Sequence, residues 1–123
     1  MADDIRDPSE TAGKLIAASK VNSTTVYDTA GEKVGSIHDV MIDKSTGKVE
    51  YAILSFGGFL GMGSDYHPLP WHSLNYDEAH GGYVVNVDRS RLEGAPVYSG
   101  DEPDRWTDPA YGQQIDAYYG TPI

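Results

Sequence analysis

Between residues 25 and 56, short apolar runs alternate with polar turns, which is the pattern of consecutive β-strands. The apolar runs are residues 26–27, Lys33–Ile42 and Val49–Phe56. The turns between them, at residues 28–31 and 43–47, each begin with Asp and end with Gly, as β-turns favour. Gly31 is expected to adopt a positive φ, which residues with a Cβ atom resist. The pattern predicts three consecutive antiparallel strands.

The hydrophobic phase changes within the second of these strands. Val34 and Val40 share one parity, whereas Ile37 lies on the other. Because side chains alternate between the two faces of a strand, this change predicts either two buried faces or a β-bulge near residues 38–39. Gly35 would ease the bend that a bulge produces.

The third strand, Val49–Phe56, is apolar on both parities. One parity is expected to fill the inside of a small barrel. The other, which includes Tyr51 and Ile53, would face water in an isolated barrel and must therefore be covered. The cover is either the chain's own C-terminal tail or another subunit, and we expect another protein chain.

A glycine-rich loop at residues 57–63 carries three large apolar side chains, Phe59, Leu60 and Met62. It lacks the Gly-Lys-Ser/Thr of a phosphate-binding loop and the spacing of a dinucleotide fingerprint. The apolar side chains either pack on the end of the barrel or form a partner interface, as exposed apolar loop tips commonly do.

Three more candidate strands follow, at residues 66–71, 74–76 and 82–87. Pro68 and Pro70 lack a backbone N–H and confine the first of them to an edge or a strand end. Asp88 can cap a helical turn that ends at Leu92. About six short strands at regular spacing predict an all-β fold, either a small barrel or a sandwich.

The tail contains a helix, which we place near residues 109–119. Asp108 is a favourable N-cap, Pro109 suits the first helical position, and Gly120 can end the helix. An isolated helix of this length is marginal in water, so its apolar stripe should dock on the covered face of the barrel. The stripe consists of Tyr111, Ile115, Tyr118 and Tyr119.

The net charge of −10 excludes some ligand classes and is unevenly distributed. Half of the excess, a net of −5, lies in residues 93–123. Phosphate backbones are bound by clusters of Lys and Arg, and the chain has no such cluster, so we expect no direct nucleic-acid ligand. The absence of cysteine excludes a disulfide framework, a thiolate metal site and a thiol nucleophile.

The first residues lack the basic and apolar segments of a signal peptide. The longest apolar runs are far shorter than a membrane helix of about 20 residues. We therefore expect a soluble, cytoplasmic protein without membrane insertion.

Polar side chains in the strands suggest possible metal sites. Asp65 and His67 could share a strand face and bind a metal ion, but a packed or hydrogen-bonded histidine is the commoner arrangement. Asp39 and Asp43, which with His38 could suggest a metal cluster, are expected to accept backbone N–H bonds instead. The sequence thus predicts no metal, cofactor or catalytic residue.

A Ser–His–Asp triad of Ser36, His38 and Asp39 fails on geometry. Ser36 and His38 would share one face of the strand, whereas Asp39 would point to the other. The chain also contains no nucleophile elbow of the Gly-x-Ser-x-Gly type. We expect no enzymatic activity.

The segments 26–43, 47–54 and 56–58, followed by His-Pro-Leu-Pro-Trp at 67–71, resemble the PRC-barrel family, in the subset found as stand-alone bacterial proteins. The resemblance implies a small, strongly bent antiparallel β-barrel. It divides the chain into a flexible leader at 1–17, a PRC-barrel domain at 18–96 and an acidic C-terminal extension at 97–123. It also implies an assembly or docking domain that is not known for catalysis.

The function expected from these features is a non-catalytic interaction or assembly module that forms a homodimer and docks an unidentified protein partner. Two alternatives stay open: a small-molecule or metal-binding barrel with hydrolytic activity, and a ribosome-associated assembly factor. The candidate interface residues are Tyr51, Ile53, Phe59, Leu60, Met62, Tyr111, Ile115, Tyr118 and Tyr119.

Overall fold

The structure, a computed structural model, describes residues 15–56, 65–98 and 103–120. In these ranges the chain forms six strands and three α-helices, with 3₁₀ turns at Trp71–Ser73 and Pro103–Thr107. In chain order they are α1 (Ala18–Val21), β1 (Thr25–Tyr27), β2 (Lys33–Ile42), β3 (Val49–Phe56), β4 (Asp65–Pro70), β5 (Leu74–Asp77), β6 (Gly82–Val85), α2 (Arg89–Glu93) and α3 (Pro109–Tyr119).

The six strands form one strongly curved sheet, a half-barrel, in the order β4-β3-β2-β1-β6-β5. The predicted small β fold with a short helical turn and a C-terminal helix is confirmed. One pairing differs from a purely antiparallel barrel, because β1 and β6 are parallel, with Val26 opposite Tyr83. The chain passes from β4 to β5 through the Trp71–Ser73 turn and not through a hairpin, so strand direction is not reversed there.

The predicted bulge lies in β2. The register with β3 shifts between Ile37, opposite Leu54, and Asp39, opposite Ile53. The Asp39 carboxylate accepts the backbone N–H of Val40 at 2.8 Å, as expected for an aspartate at the bend. The change of hydrophobic phase in the sequence is therefore the signature of this bulge.

The two predicted turns also form as expected. Gly31 adopts a φ of +84°, and Asp28 accepts the backbone N–H of Ala30 at 2.9 Å. In the second turn Asp43 accepts the backbone N–H groups of Ser45 and Thr46. Both carboxylates therefore stabilise their own turns by accepting backbone N–H groups.

The core lies on the concave face of the sheet and continues into the helices. Its sheet residues include Val26, Ile37, Leu54 and Val85, all almost completely buried. Leu92 on α2 is equally buried and belongs to the same cluster. The hydrophobic core therefore extends beyond the last strand.

Both predicted helix caps are present. The Asp88 side chain accepts the backbone N–H of Arg91 at the start of α2, and Asp108 accepts that of Ala110 at the start of α3. Gly120 ends α3 with a φ of +79°. Among the described residues, no helix combines the length and apolar character needed to span a membrane.

Candidate docking face of the barrel

The outer face of β3 and β4 points away from the sheet core, yet three of its four side chains are buried and the fourth, Tyr51, is half-buried. Tyr51 and Ile53 share this face of β3 because they are two residues apart. Their cross-strand partners on β4 are Pro70 and Pro68, which lie on the same face. Ile53 is 0% exposed and both prolines are fully buried. We call these four side chains the outer face.

The C-terminal extension packs against Tyr51, at one end of the outer face. The ring of Trp106 lies 5.1 Å from that of Tyr51, measured between centroids. The Tyr51 hydroxyl makes a long, 3.5 Å hydrogen bond to Asp116 on α3. A Cβ atom at Gly112 would come within 2.9 Å of the same hydroxyl. At Tyr51 the expectation that another protein chain covers β3 is thus corrected, because the chain's own extension lies there.

The apolar stripe of α3 faces inward. Tyr111, Ile115 and Tyr119 are buried and belong to the same hydrophobic cluster as the sheet core. Ile115 is 0% exposed, while Tyr118 is half-buried and packs at the margin of the cluster. The spacing of the apolar residues in the sequence therefore identifies the buried side of α3.

Polar contacts hold both ends of α3. At its start, the Tyr111 hydroxyl donates to the carbonyl of Val97 at 3.1 Å. At its end, the Tyr118 hydroxyl donates to the carbonyl of Arg91 at 2.5 Å. The Arg91 guanidinium in turn donates to the carbonyl of Tyr118 and lies 4.3 Å from the centre of its ring. Arg91 and Tyr118 thus clasp α2 to α3.

Three buried polar atoms have no hydrogen-bond partner among the described residues: His67 Nε2, Trp106 Nε1 and the Tyr119 hydroxyl. His67 is 1% exposed and donates through Nδ1 to the carbonyl of Pro96 at 3.0 Å. An unpaired buried polar group costs roughly 1–3 kcal/mol. Because two of the three atoms belong to the extension, its packing is weaker than its apolar contacts alone would give.

The unpaired hydroxyl of Tyr119 leads to a prediction. Tyr119→Phe should leave the free energy of unfolding unchanged or raise it by about 1 kcal/mol, since it removes an unsatisfied group and keeps the ring. The matched variant Tyr111→Phe should lower it by about 1 kcal/mol because that hydroxyl is bonded to Val97. Urea unfolding of both variants measures the difference. Equal losses in the two would contradict this assignment.

Burial also predicts how the contact responds to alkali. Burial raises the pKa of Tyr119, and burial together with the negative charge of Asp116 raises that of Tyr51. The folded protein therefore favours the neutral hydroxyls. The docked state keeps its full stability below the ordinary tyrosine pKa of about 10, and it loses stability as pH rises above that value. We expect the extension to loosen above about pH 10.

A titration of phenolate absorbance at 295 nm, followed alongside Trp fluorescence, tests this response. The expected result is a late phase of tyrosine ionisation that coincides with a fluorescence change and is reduced in Tyr119→Phe. Ionisation of all nine tyrosines in a single early step would contradict it.

Not every candidate interface residue can be placed. Phe59, Leu60 and Met62 lie outside the described residues. Tyr51 and the α3 stripe belong to one hydrophobic cluster within the chain, and Ile53 is buried outside that cluster. The sequence interpretation missed Trp106 and Arg91, although a tryptophan in an otherwise polar, acidic segment is itself a signal of docking.

The two histidines in the candidate sites have structural partners. His67 is packed and hydrogen-bonded, as expected, with its ring 5.6 Å from that of Phe56. His38 stacks on Tyr66 at 4.5 Å. Within residues 15–56, 65–98 and 103–120, no three His, Asp or Glu side chains are grouped so that they could hold a metal ion.

Comparison with known proteins gives one family. The family model for the PRC-barrel domain matches residues 13–92, which include all six strands and most of α2. No curated protein matches the chain. The Trp106 and α3 side of the docking contact lies after the last matched residue. Since the match extends over well more than half of its length, the chain belongs to the PRC-barrel domain family.

Proposed function

We propose that this chain is a non-catalytic interaction module that self-associates and docks a protein partner. The observation that carries the proposal is that the family domain packs a helix from beyond the matched residues, since the buried stripe of α3 joins the hydrophobic cluster of the sheet. Laying the apolar face of a helix on a hydrophobic surface is a recurrent mode of protein recognition. This packing supports a role of the domain in binding helices.

The chemistry of the contact fits a protein ligand. It combines tyrosine and tryptophan rings with an arginine, the side chains enriched in protein interfaces. The net charge of −10 disfavours phosphate backbones as ligands. A helix of a protein partner matches both features.

Light scattering coupled to size exclusion, over a micromolar concentration range, tests self-association. The expected result is a dimer that dissociates on dilution. A monomer at every concentration would contradict this part of the proposal.

For partner docking, affinity capture on the wild-type chain is compared with capture on a chain carrying Tyr51→Glu. Capture of the same protein by both variants would show that the outer face is not the docking surface.

A further inference from the structure

We propose that the free edge of β5 is a second docking surface, where an extended, basic segment of a protein partner binds as an added strand. The inference rests on the partner docking proposed above and names a surface and a ligand chemistry for it. Strand addition at a sheet edge is a recurrent mode of recognition, in which main-chain hydrogen bonds give affinity and alternate side chains give specificity.

The first argument is that the two edges of the sheet differ. Strands β4 and β5 are the outermost strands of the described sheet. On β4, Pro68 and Pro70 lack the backbone N–H that an added strand would need. The Tyr66 carbonyl of β4 also accepts the backbone N–H of Tyr98 at 2.7 Å. Strand β5 has no proline or lysine and pairs with β6 without a register shift, so it lacks the proline, lysine and bulge that protect many edges.

The second argument is that the backbone of Tyr76 points to the free side of β5. In an antiparallel pair, successive residues turn their N–H and C=O groups alternately towards and away from the partner strand. The carbonyls of Ser73 and Asp77 accept N–H groups from the β6 side of the hairpin. Asn75 lies two residues from each and faces the same way. The N–H and C=O of Tyr76 therefore point outwards, where an added strand would pair with them.

The third argument is that the core ends in an exposed ring at this edge. Tyr76 lies opposite Tyr83 on β6, and their rings are 5.1 Å apart in an edge-to-face arrangement. Tyr83 also contacts the ring of Trp71 at 5.3 Å and is buried in the hydrophobic cluster. Tyr76, in contrast, is 48% exposed. An added strand would cover this ring with a side chain of its own, and the burial of apolar surface favours an apolar residue at that position.

The fourth argument is that charge selects the occupant. Residues 49–88 contain five acidic residues and no lysine or arginine. Two of the acids, Asp77 and Glu78, lie at the end of β5, and Glu78 is exposed. A second copy of this chain would bring the same acidic residues to the edge, whereas a basic strand complements them. Since side chains alternate along a strand, the matching ligand is an extended segment that alternates apolar and basic residues.

A labelled six-residue peptide that alternates valine and lysine tests the edge by fluorescence anisotropy against the full-length chain. The expected result is saturable binding that weakens as salt is added. A peptide in which glutamate replaces lysine keeps the strand-forming valines. It should bind at least tenfold more weakly, because its charge has the same sign as that of the edge. No saturable binding of the valine–lysine peptide would overturn the proposal.

Two N-methylated peptides separate strand addition from attraction by charge alone. In an antiparallel pair with β5, the residue opposite Tyr76 turns its N–H towards the edge and its side chain towards the core face, so valine is expected there. Methylation of the valine backbone nitrogens should weaken binding at least tenfold. Methylation of the lysine backbone nitrogens should leave the affinity at the unmodified value. Equal affinity for the two methylated peptides would show that no strand is added.

Two variants of the chain test the same edge from the protein side. Tyr76→Pro removes the outward N–H and should weaken binding of the unmodified peptide at least fivefold. Tyr76→Phe keeps both the N–H and the ring and should bind it as the wild type does. An unchanged affinity in a folded Tyr76→Pro chain would contradict the assignment of this edge. The methylated peptides test the wild-type chain and do not depend on the folding of this variant.

Affinity capture on the wild-type chain distinguishes this inference from the function it rests on. A chain that captures a protein partner but binds no valine–lysine peptide would overturn the edge site and leave partner docking standing. A chain that binds the peptides in the expected order but captures no partner would support the edge site and contradict partner docking.

Discussion

Replacement of Gly35 by alanine is expected to destabilise the protein by about 3 kcal/mol or more. A Cβ atom at this position would lie 2.0 Å from the carbonyl oxygen of Ser55 and 3.0 Å from its carbonyl carbon. Both are backbone atoms of the paired strand β3, so they cannot rotate away as a side chain could. The alanine must push β2 from β3 in the middle of the sheet.

Urea unfolding measures this loss, and the soluble fraction on expression gives a second readout if the variant fails to fold. Gly94→Ala is the matched control. Among the described residues its Cβ would meet a single side-chain atom, the Tyr118 hydroxyl at 3.3 Å, and no backbone atom, so a loss of about 1 kcal/mol or less is expected. Equal unfolding midpoints for Gly35→Ala and the wild type would contradict the close approach of the two strands.

Removal of residues 106–123 is expected to expose an apolar surface and cause aggregation or a change in oligomeric state. The truncation removes Tyr111, Ile115 and Tyr119 from the hydrophobic cluster and Trp106 from the ring of Tyr51. Burial of a side chain such as Ile115 is worth about 1.5–3 kcal/mol, and a contiguous exposed apolar patch promotes association. Light scattering and binding of a hydrophobic dye measure the effect.

The control for the truncation is Gln113→Ala, which changes an exposed side chain of α3 and keeps the helix. It should behave as the wild type in both measurements. A truncated chain that stays in the wild-type oligomeric state and binds no additional dye would show that the extension does not cover an apolar surface of the barrel.

Local features of the fold could be predicted from the sequence because their causes are local. The phase change around Ile37 gives the bulge, the Asp-to-Gly segments give the turns, and Asp108 with Pro109 gives the start of α3. The 3.6-residue spacing of the stripe also identifies which side of α3 is buried. Each of these depends on residues a few positions apart.

Contacts between distant segments could not be predicted in the same way. The pairing of β1 with β6 and the contact of Tyr51 with Trp106 join residues more than fifty positions apart. Two-sided hydrophobicity in β3 shows that a cover exists but not which segment supplies it. The sequence also predicts only part of the role of Gly35. It indicates a bend in β2, whereas the structure shows that the Gly35 backbone also approaches the backbone of Ser55 closely.

The central claim is that the extension docks on the family domain, with Trp106 against Tyr51. The most direct test is a nuclear Overhauser spectrum of the full-length chain, with resonances of Trp106 assigned by comparison with Trp71→Phe. Cross-peaks between the rings of Trp106 and Tyr51 are predicted, since their centroids are 5.1 Å apart. Their absence in a folded protein whose inner-core cross-peaks are intact would contradict the account.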